Sequence, residues 1–324
     1  MPFQPWYIDS VSSVISERTL DGVLVVDKPE GLTSHDVVNR IRRLAKTRKV
    51  GHLGTLDPIA TGVLPLVLGR ATRLAQFFSG SEKTYDADIQ FGWSTDTYDR
   101  EGSRTSEPVT PRFTRAELEA ALDRFRGDIL QTPPPYSAKK VGGTPAYRLA
   151  RKHVEVELKP VPVRISALEL LDFDGAQARV HVRCSAGTYL RGIAHEVGAE
   201  LGCGAFLTAL RRTASGEFTE SRSRTLEALE ELVREGMLER ALIPAAAVLP
   251  EIPSAVVDAI TAGQIRRGQD FRLSPFVQRA DSKYVKAVSR KVRNLPFCRS
   301  TTAKSLRSRS CAKKPWVKSC ASSG

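Results

Sequence analysis

The chain predicts an α+β fold, with a mixed, mainly antiparallel sheet flanked by helices. Strand-like and helix-like segments are mixed without the regular β-α-β alternation of a parallel sheet. Three strand-like runs follow one another at 154–163, 165–173 and 178–184, the last two joined at the turn signal Asp174-Gly175. No internal repeat is present.

Residues 22–27 (Gly-Val-Leu-Val-Val-Asp) read as a short buried strand, followed by a turn at Lys28-Pro29-Glu30-Gly31. Ser34 is the expected N-cap of a helix whose Val37, Val38, Ile41 and Leu44 share one face. The stretch 51–65, punctuated by Gly and Pro, is too irregular for regular structure at its start. Val63 to Leu68 is strand-like, Ala71 to Phe78 is helical, and Tyr85 to Phe91 alternates as a strand does. Thr114 to Phe125 is an amphipathic helix, capped by Thr114 with Glu117 completing a capping box. Three prolines in Gln131-Thr132-Pro133-Pro134-Pro135-Tyr136 forbid a ladder and predict a rigid loop. Beyond the three successive strands come a helix from Tyr189 to Leu201 and a strand near Phe206 to Arg212. Helices at Thr225 to Glu235 and Ser254 to Ala262 close the body.

The composition is that of a globular protein, 41% hydrophobic, with no apolar run near the roughly 20 residues that span a bilayer. The start, Met1-Pro2-Phe3-Gln4-Pro5-Trp6, lacks the basic head and apolar stretch of a secretory signal. A cytoplasmic protein without a membrane partner is the expectation. The net charge of +13 invites nucleic acid as a partner, but residues 1–270 hold 35 basic and 35 acidic residues. The 14 basic residues and the single acid, Asp281, of 271–324 carry all of the excess. RNA binding by the body therefore requires a local basic surface. The five cysteines form no Cys-x-x-Cys pair and the five histidines show no zinc spacing, so neither metal nor disulfide framework is expected.

Asp57 stands out in Gly51-His52-Leu53-Gly54-Thr55-Leu56-Asp57-Pro58. Gly51, Gly54 and Gly62 free the backbone, while Pro58 restricts Asp57 to an extended or turn conformation. A carboxylate on a stiffened loop suits a nucleophile or base; an Asp-Pro that merely closes a turn is the plain alternative. His52 shares the loop, as a stacking group or as a structural histidine. Tyr85, after Lys83-Thr84, is either a platform for a base or sheet packing. Cys184 to Arg191 runs strand, turn, helix, and Arg191 at the helix start opposes the helix dipole, so a carboxylate partner would help it. Leu210-Arg211-Arg212 supplies two cations, either phosphate contacts or a solvated strand end.

The stretch from Gly51 to Pro65 closely resembles the active-site motif of the TruB family, synthases that make pseudouridine 55 in the T-loop of tRNA. Asp27-Lys28-Pro29-Glu30-Gly31-Leu32-Thr33-Ser34 resembles the family's N-terminal signature, and Lys83-Thr84-Tyr85 sits where its tyrosine motif is expected. Pro134-Pro135-Tyr136-Ser137-Ala138-Lys139-Lys140, with Tyr147 and Ala150-Arg151, is similar to its RNA-contacting insertion. Gly187-Thr188-Tyr189-Leu190-Arg191 and Leu210-Arg211-Arg212 resemble its last two catalytic motifs, so the likeness covers roughly residues 20–220 in family order. It implies a pseudouridine synthase fold over 1–250 with the insertion at about 131–160, a partial PUA-like segment at 251–289, and no cofactor, metal or obligate protein partner. Asp57 would be the nucleophile, attacking ribose C1′ or uracil C6. Tyr85 would stack on the flipped base, Tyr189 would line its pocket, Arg191 would pair with Asp57 and keep it ionised, Leu210 would contact the uracil, and His52 would pack in the T-loop.

The sequence departs from the pattern at His153, usually a small residue, and at His195, often an acid. The tail 290–324 is rich in Ser, Arg, Lys and Cys and reads as disordered or out of frame; a genuine basic arm is the rival. Alternatives to the stand-alone synthase are a noncatalytic RNA-binding or RNA-folding protein on the same scaffold, an RNA-guided relative that is also an enzyme, and a hydrolase using Asp57.

Overall fold

The computed structural model describes residues 20–137, 139–150, 152, 154, 158–266, 284–289 and 297–299. The strands are β1 Gly22–Lys28, β2 Val50–His52, β3 Ala60–Leu68, β4 Lys83–Phe91, β5 Gly127–Gln131, β6 Lys140–Val141, β7 Thr144–Pro145, β8 Val161–Phe173, β9 Gln177–Cys184, β10 Ala205–Ser215 and β11 Phe218–Thr219. The helices are α1 Ser34–Leu44, α2 Ala75–Phe78, α3 Arg115–Asp123, α4 Ala146–Ala150, α5 Leu190–Glu200 and α6 Leu226–Arg234. Further on lie β12 Ser254–Val257, α7 Ala259–Arg266, β13 Tyr284–Ser289 and β14 Phe297–Arg299.

Nine strands form one sheet in the order β1-β3-β10-β4-β9-β8-β5, with β2 on β3 and β11 on β10. Every pairing in it is antiparallel except β3 with β10, so the expected mixed, mainly antiparallel α+β architecture is present. β1 is buried on both faces, which explains its unbroken apolar run. β4 instead alternates: Tyr85, Ala87, Ile89 and Phe91 point into the core, and Asp86 and Asp88 pair outside with His181 (2.6 Å) and Arg179 (2.7 Å). The main core lies between this inner face and α1, α3, α5 and α6, while a smaller cluster that includes Val23, Val25, Val63, Phe78 and Phe218 covers the opposite side of β1 and β3.

The edge of β3 creates the place for the site. β1 pairs with β3 from Gly62 to Leu68, so β2 and β10 share the other edge. β2 takes Leu66 to Leu68 and β10 takes Ala60 to Gly62. Between them a gap leaves the carbonyls of Val63 and Pro65 without a strand partner, and buried carbonyls need donors. Leu53 N–H reaches Pro65 O at 2.9 Å, and the Arg212 guanidinium reaches Val63 O at 2.7 Å. The loop 53–59 is thereby drawn into the gap.

Several expectations need correction. Thr33, not Ser34, caps α1, in a capping box with Asp36. Residues 50–52 form a strand where irregular chain was expected, and Gly51 lies in it without a positive φ. Residues 69–74 are 3-10 helix ahead of the single turn of α2. The strands expected at 154–163 and 165–173 are one strand, β8, starting after Pro160 and continuing through Arg164, with register shifts near Ala167 and Asp172. Residues 254–262 are not one helix: β12 comes first, and α7 starts only after Asp258, whose carboxylate accepts from Thr261 N–H at 2.7 Å. The capping box of Thr114 and Glu117 is present. β13 is parallel to β12 and antiparallel to β14, so part of the stretch read as tail, Phe297–Arg299, is a strand. The rest of 290–324, together with Arg151, His153 and the side chain of Tyr147, lies outside the described residues. Among the described residues no helix is long and apolar enough to cross a membrane.

Candidate active site

Asp57 sits on the loop in the β3 gap, and side chains from three other elements hold that loop. The hydroxyl of Ser34, at the start of α1 and 2% exposed, accepts from Leu56 N–H (2.7 Å) and donates to Leu56 O (3.0 Å). Arg212 of β10, 1% exposed, donates to Thr55 O (3.2 Å) and Gly54 O (3.1 Å) as well as to Val63 O. Lys28, fully buried at the end of β1, donates from Nζ to Pro29 O (2.9 Å), Leu32 O (2.6 Å) and Pro58 O (3.2 Å). Gly31 N–H also donates to Pro58 O, at 2.9 Å. Gly62 is required where β3 passes β10: its φ is 97°, and a Cβ there would lie 2.3 Å from Arg212 O.

Opposite the loop stands α5. Its second residue, Arg191, is 6% exposed, and its Nη2 lies 3.1 Å from Asp57 Oδ2. Arg191 also donates to Tyr136 O (2.7 Å) and Thr97 O (3.3 Å), and Asp99 Oδ2 lies 3.8 Å from Nη1. The carboxylates supply what a cation at a helix N-terminus lacks. Tyr189, the N-cap of α5, holds its ring 5.9 Å from the Arg191 guanidinium. Its backbone is fixed at both ends by the buried Gln131 amide, which accepts from Tyr189 N–H (2.8 Å) and donates to Tyr189 O (2.9 Å).

The Asp57 side chain stays 37% exposed, open to an approaching molecule, yet protein surrounds it closely enough that desolvation governs its titration. Burial raises its pKa above the ordinary 3.8; Arg191 and Lys28 oppose the rise and Asp99 reinforces it. The pairing with Arg191 was expected to keep Asp57 ionised; it acts in that direction, but burial outweighs it and the net shift is upward. Tyr85 faces inward from β4 beside Arg212, its partner on β10, and burial raises its phenol. Leu210 is half-buried on β10, opposite Ala60 on β3 and Ala87 on β4. His52 ends β2, its Nδ1 accepting from Gly54 N–H at 3.4 Å; burial, and then Arg212, lower its pKa. Asp57 on the β2–β3 loop, Tyr85 on β4, and Tyr189 and Arg191 at the start of α5 thus lie near one another, while Leu210 pairs with Ala60 just past the loop and His52 stands just ahead of it.

Two readings of the cations change. Arg212 is neither a phosphate contact nor a solvated end but the loop's anchor. Arg211 pairs with Asp27 (3.1 Å) and Glu220 (2.6 Å). Sequence reasoning also missed Lys28, Gln131 and Asp99. Lys28 alone carried a signal, a lysine directly ending an apolar strand and followed by proline; nothing local marks the other two. Among the described residues no cluster of His, Cys, Asp and Glu could hold a metal ion.

Burial pushes the Lys28 ammonium down to about 8, against the pull of Asp57 and Glu30. Its folded value is below the unfolded 10.5, so the folded state holds fewer protons there between about pH 8 and 10.5. The Lys28 contribution to stability should grow as pH rises through that window. In urea unfolding at about pH 7.5 and about pH 10, the difference between wild type and Lys28→Met should move in favour of wild type. A difference independent of pH would show that Lys28 titrates normally.

Comparisons with known proteins agree along the chain. The model of the TruB family pseudouridylate synthase N-terminal domain matches residues 42–190, and that of the tRNA pseudouridylate synthase B C-terminal domain matches residues 191–250. A tRNA pseudouridine synthase B of Solibacter usitatus is 60% identical over 271 residues, covering 84% of this chain and 92% of its own. Another, from Azoarcus, is 45% identical over 262 residues, covering 80% and 85%. Among solved structures, an archaeal box H/ACA sRNP Nop10–Cbf5 complex matches with a TM-score of 0.62 at 25% identity, over 87% of this chain and 79% of the other.

Proposed function

The chain belongs to the TruB family of pseudouridylate synthases, and on that premise we propose that it isomerises uridine 55 in the T-loop of tRNA, with Asp57 as nucleophile and no cofactor. It is an isomerase that forms pseudouridine in tRNA. The observation that carries the finer reading is the Asp57–Arg191 pair, 3.1 Å apart, on a loop anchored by Ser34, Lys28 and Arg212 and flanked by Tyr85 and Tyr189.

A uridine within a folded RNA loop presents C1′ or C6 to a carboxylate only after leaving its stack. Tyr189, and Tyr85 at the margin of the core where it is 9% exposed, stack on the extruded base, the usual way an unstacked base is held. Asp57 then attacks ribose C1′ or uracil C6, and the N1–C1′ bond breaks. The uracil turns, C5 bonds to C1′, the bond from Asp57 to C1′ or C6 breaks and returns the electron pair to the carboxylate, C5 gives up its proton and N1 gains one. Substrate and product are isomers, so the sequence balances without oxidant or reductant. Leu210 packs on the uracil, and Arg191 balances the charge that Asp57 loses and regains. The T-stem-loop is the element recognised, with the insertion at about 131–160 as a contact surface; residues 251–289 read as a partial PUA-like segment.

The test is to incubate the protein with an unmodified tRNA transcript and map pseudouridine along it. Product is expected at position 55, and none in a transcript carrying cytidine there. Product at another uridine would overturn the site assignment, and tight binding without product would favour an RNA-folding protein on this scaffold.

A further inference from the structure

Beside the ion pair, residues 95–100 form a turn with one unusual member. Tyr98 has a φ of 65°, a left-handed conformation that is costly for a bulky side chain and persists only where its surroundings hold it. The Tyr98 ring lies flat on the His195 imidazole, with centroids 3.8 Å apart and planes 9° from parallel. His195 stands one helical turn beyond Arg191 on α5, so the two project from the same face. Its buried Nδ1 has no hydrogen-bond partner among the described residues, so the ring face makes the contact.

The neighbours of Tyr98 on each side hold Arg191. Thr97 O accepts from Nη1 at 3.3 Å, and the Asp99 carboxylate lies 3.8 Å from the same atom. Asp99 is itself fixed by the Thr97 hydroxyl (2.6 Å) and by Glu101 N–H (3.1 Å). Relaxing Tyr98 to a negative φ would rotate the peptide that joins it to Thr97, whose carbonyl Arg191 binds.

We propose that the Tyr98–His195 stack is a positioning device for the reaction: it pins the 95–100 turn to α5 and so fixes the Arg191 guanidinium against Asp57. The proposal rests on Asp57 being the reacting carboxylate. Neither ring touches substrate; both act through Arg191.

The test compares His195→Ala, His195→Phe and Tyr98→Gly with wild type in kcat, KM for tRNA, pH–rate profile and thermal melting. His195→Ala is expected to lower kcat about tenfold or more while KM stays within about twofold, since a small displacement of a reacting group is costly. The charged groups around Asp57 are Arg191 from α5, Asp99 from the turn and Lys28 from β1. Loosening Arg191 weakens an influence that lowers the Asp57 pKa, so the acid limb of the profile should move to higher pH. His195→Phe, which restores a flat ring, should recover most of the rate and return the limb. Tyr98→Gly accepts the left-handed φ without strain but has no ring, and should reproduce the His195→Ala loss. A folded His195→Ala protein with unchanged kcat and acid limb would overturn the proposal, as would failure of the phenylalanine to rescue. Asp57→Asn serves as the control: if it is active, the underlying reading falls. If it is inactive while His195→Ala matches wild type, only the stack assignment falls.

Discussion

Replacing Asp57 with Asn should lower pseudouridine formation at least about 10⁴-fold while leaving the fold and the affinity for tRNA nearly unchanged. The amide keeps the shape of the carboxylate but cannot form or release the covalent bond. Arg191 loses a partner at 3.1 Å, yet keeps the carbonyls of Tyr136 and Thr97 and the Asp99 carboxylate. The guanidinium is therefore not left as an unpaired buried charge, the circumstance that makes such removals destabilising. Single-turnover assays with tRNA, alongside a binding titration and a melting curve, check all three parts. The wild-type rate should fall as pH drops through the Asp57 value, and burial places that value above 3.8. Activity in Asp57→Asn within tenfold of wild type would remove Asp57 from the chemistry.

The sequence carried some of this arrangement and not the rest, for identifiable reasons. Local rules sufficed for β1, whose apolar run reports burial on both faces, and for α3, whose Thr114–Glu117 box acts within one turn. The nearness of Asp57 and Arg191, 134 positions apart, came from resemblance; no local rule supplies it. What stayed hidden depends on long-range pairing. β2 is three residues with a glycine at its centre and exists because β3 offers it an edge. The role of Gln131 depends on α5 arriving 58 residues later with Tyr189 at its cap. At 254–262 the sequence did contain the answer: a β-branched pair, Val256-Val257, then Asp258 as a helix start.

Arg212 shows why a strand-end cation is ambiguous until its side of the sheet is known. β10 shifts register against β4 between Leu207 and Ala209 and again between Arg212 and Ala214. Each irregularity resets which side chains face the core, so counting along the strand cannot tell that Arg212 is buried while Arg211 meets solvent and carboxylates. Once inside, the guanidinium has no carboxylate within ion-pair distance among the described residues and is neutralised by the carbonyls of Gly54, Thr55 and Val63. Methionine at 212 would fill similar volume but orphan all three, and the buried carbonyls would lose donors that water cannot replace. The expected cost is at least about 3 kcal/mol of stability, since each of the three buried carbonyls left without a donor costs about 1–3 kcal/mol. Turnover should fall at least about 10²-fold, because two of those carbonyls belong to the segment leading into Asp57. Lysine keeps the charge but gathers its donors on one nitrogen, whereas Arg212 meets the three carbonyls from three separate nitrogens of a planar fork, so Arg212→Lys should recover little of either loss. Urea unfolding and single-turnover rates on both variants test this. If Arg212→Lys turned over like wild type, the charge alone would matter, and the loop would not owe its placement to the guanidinium.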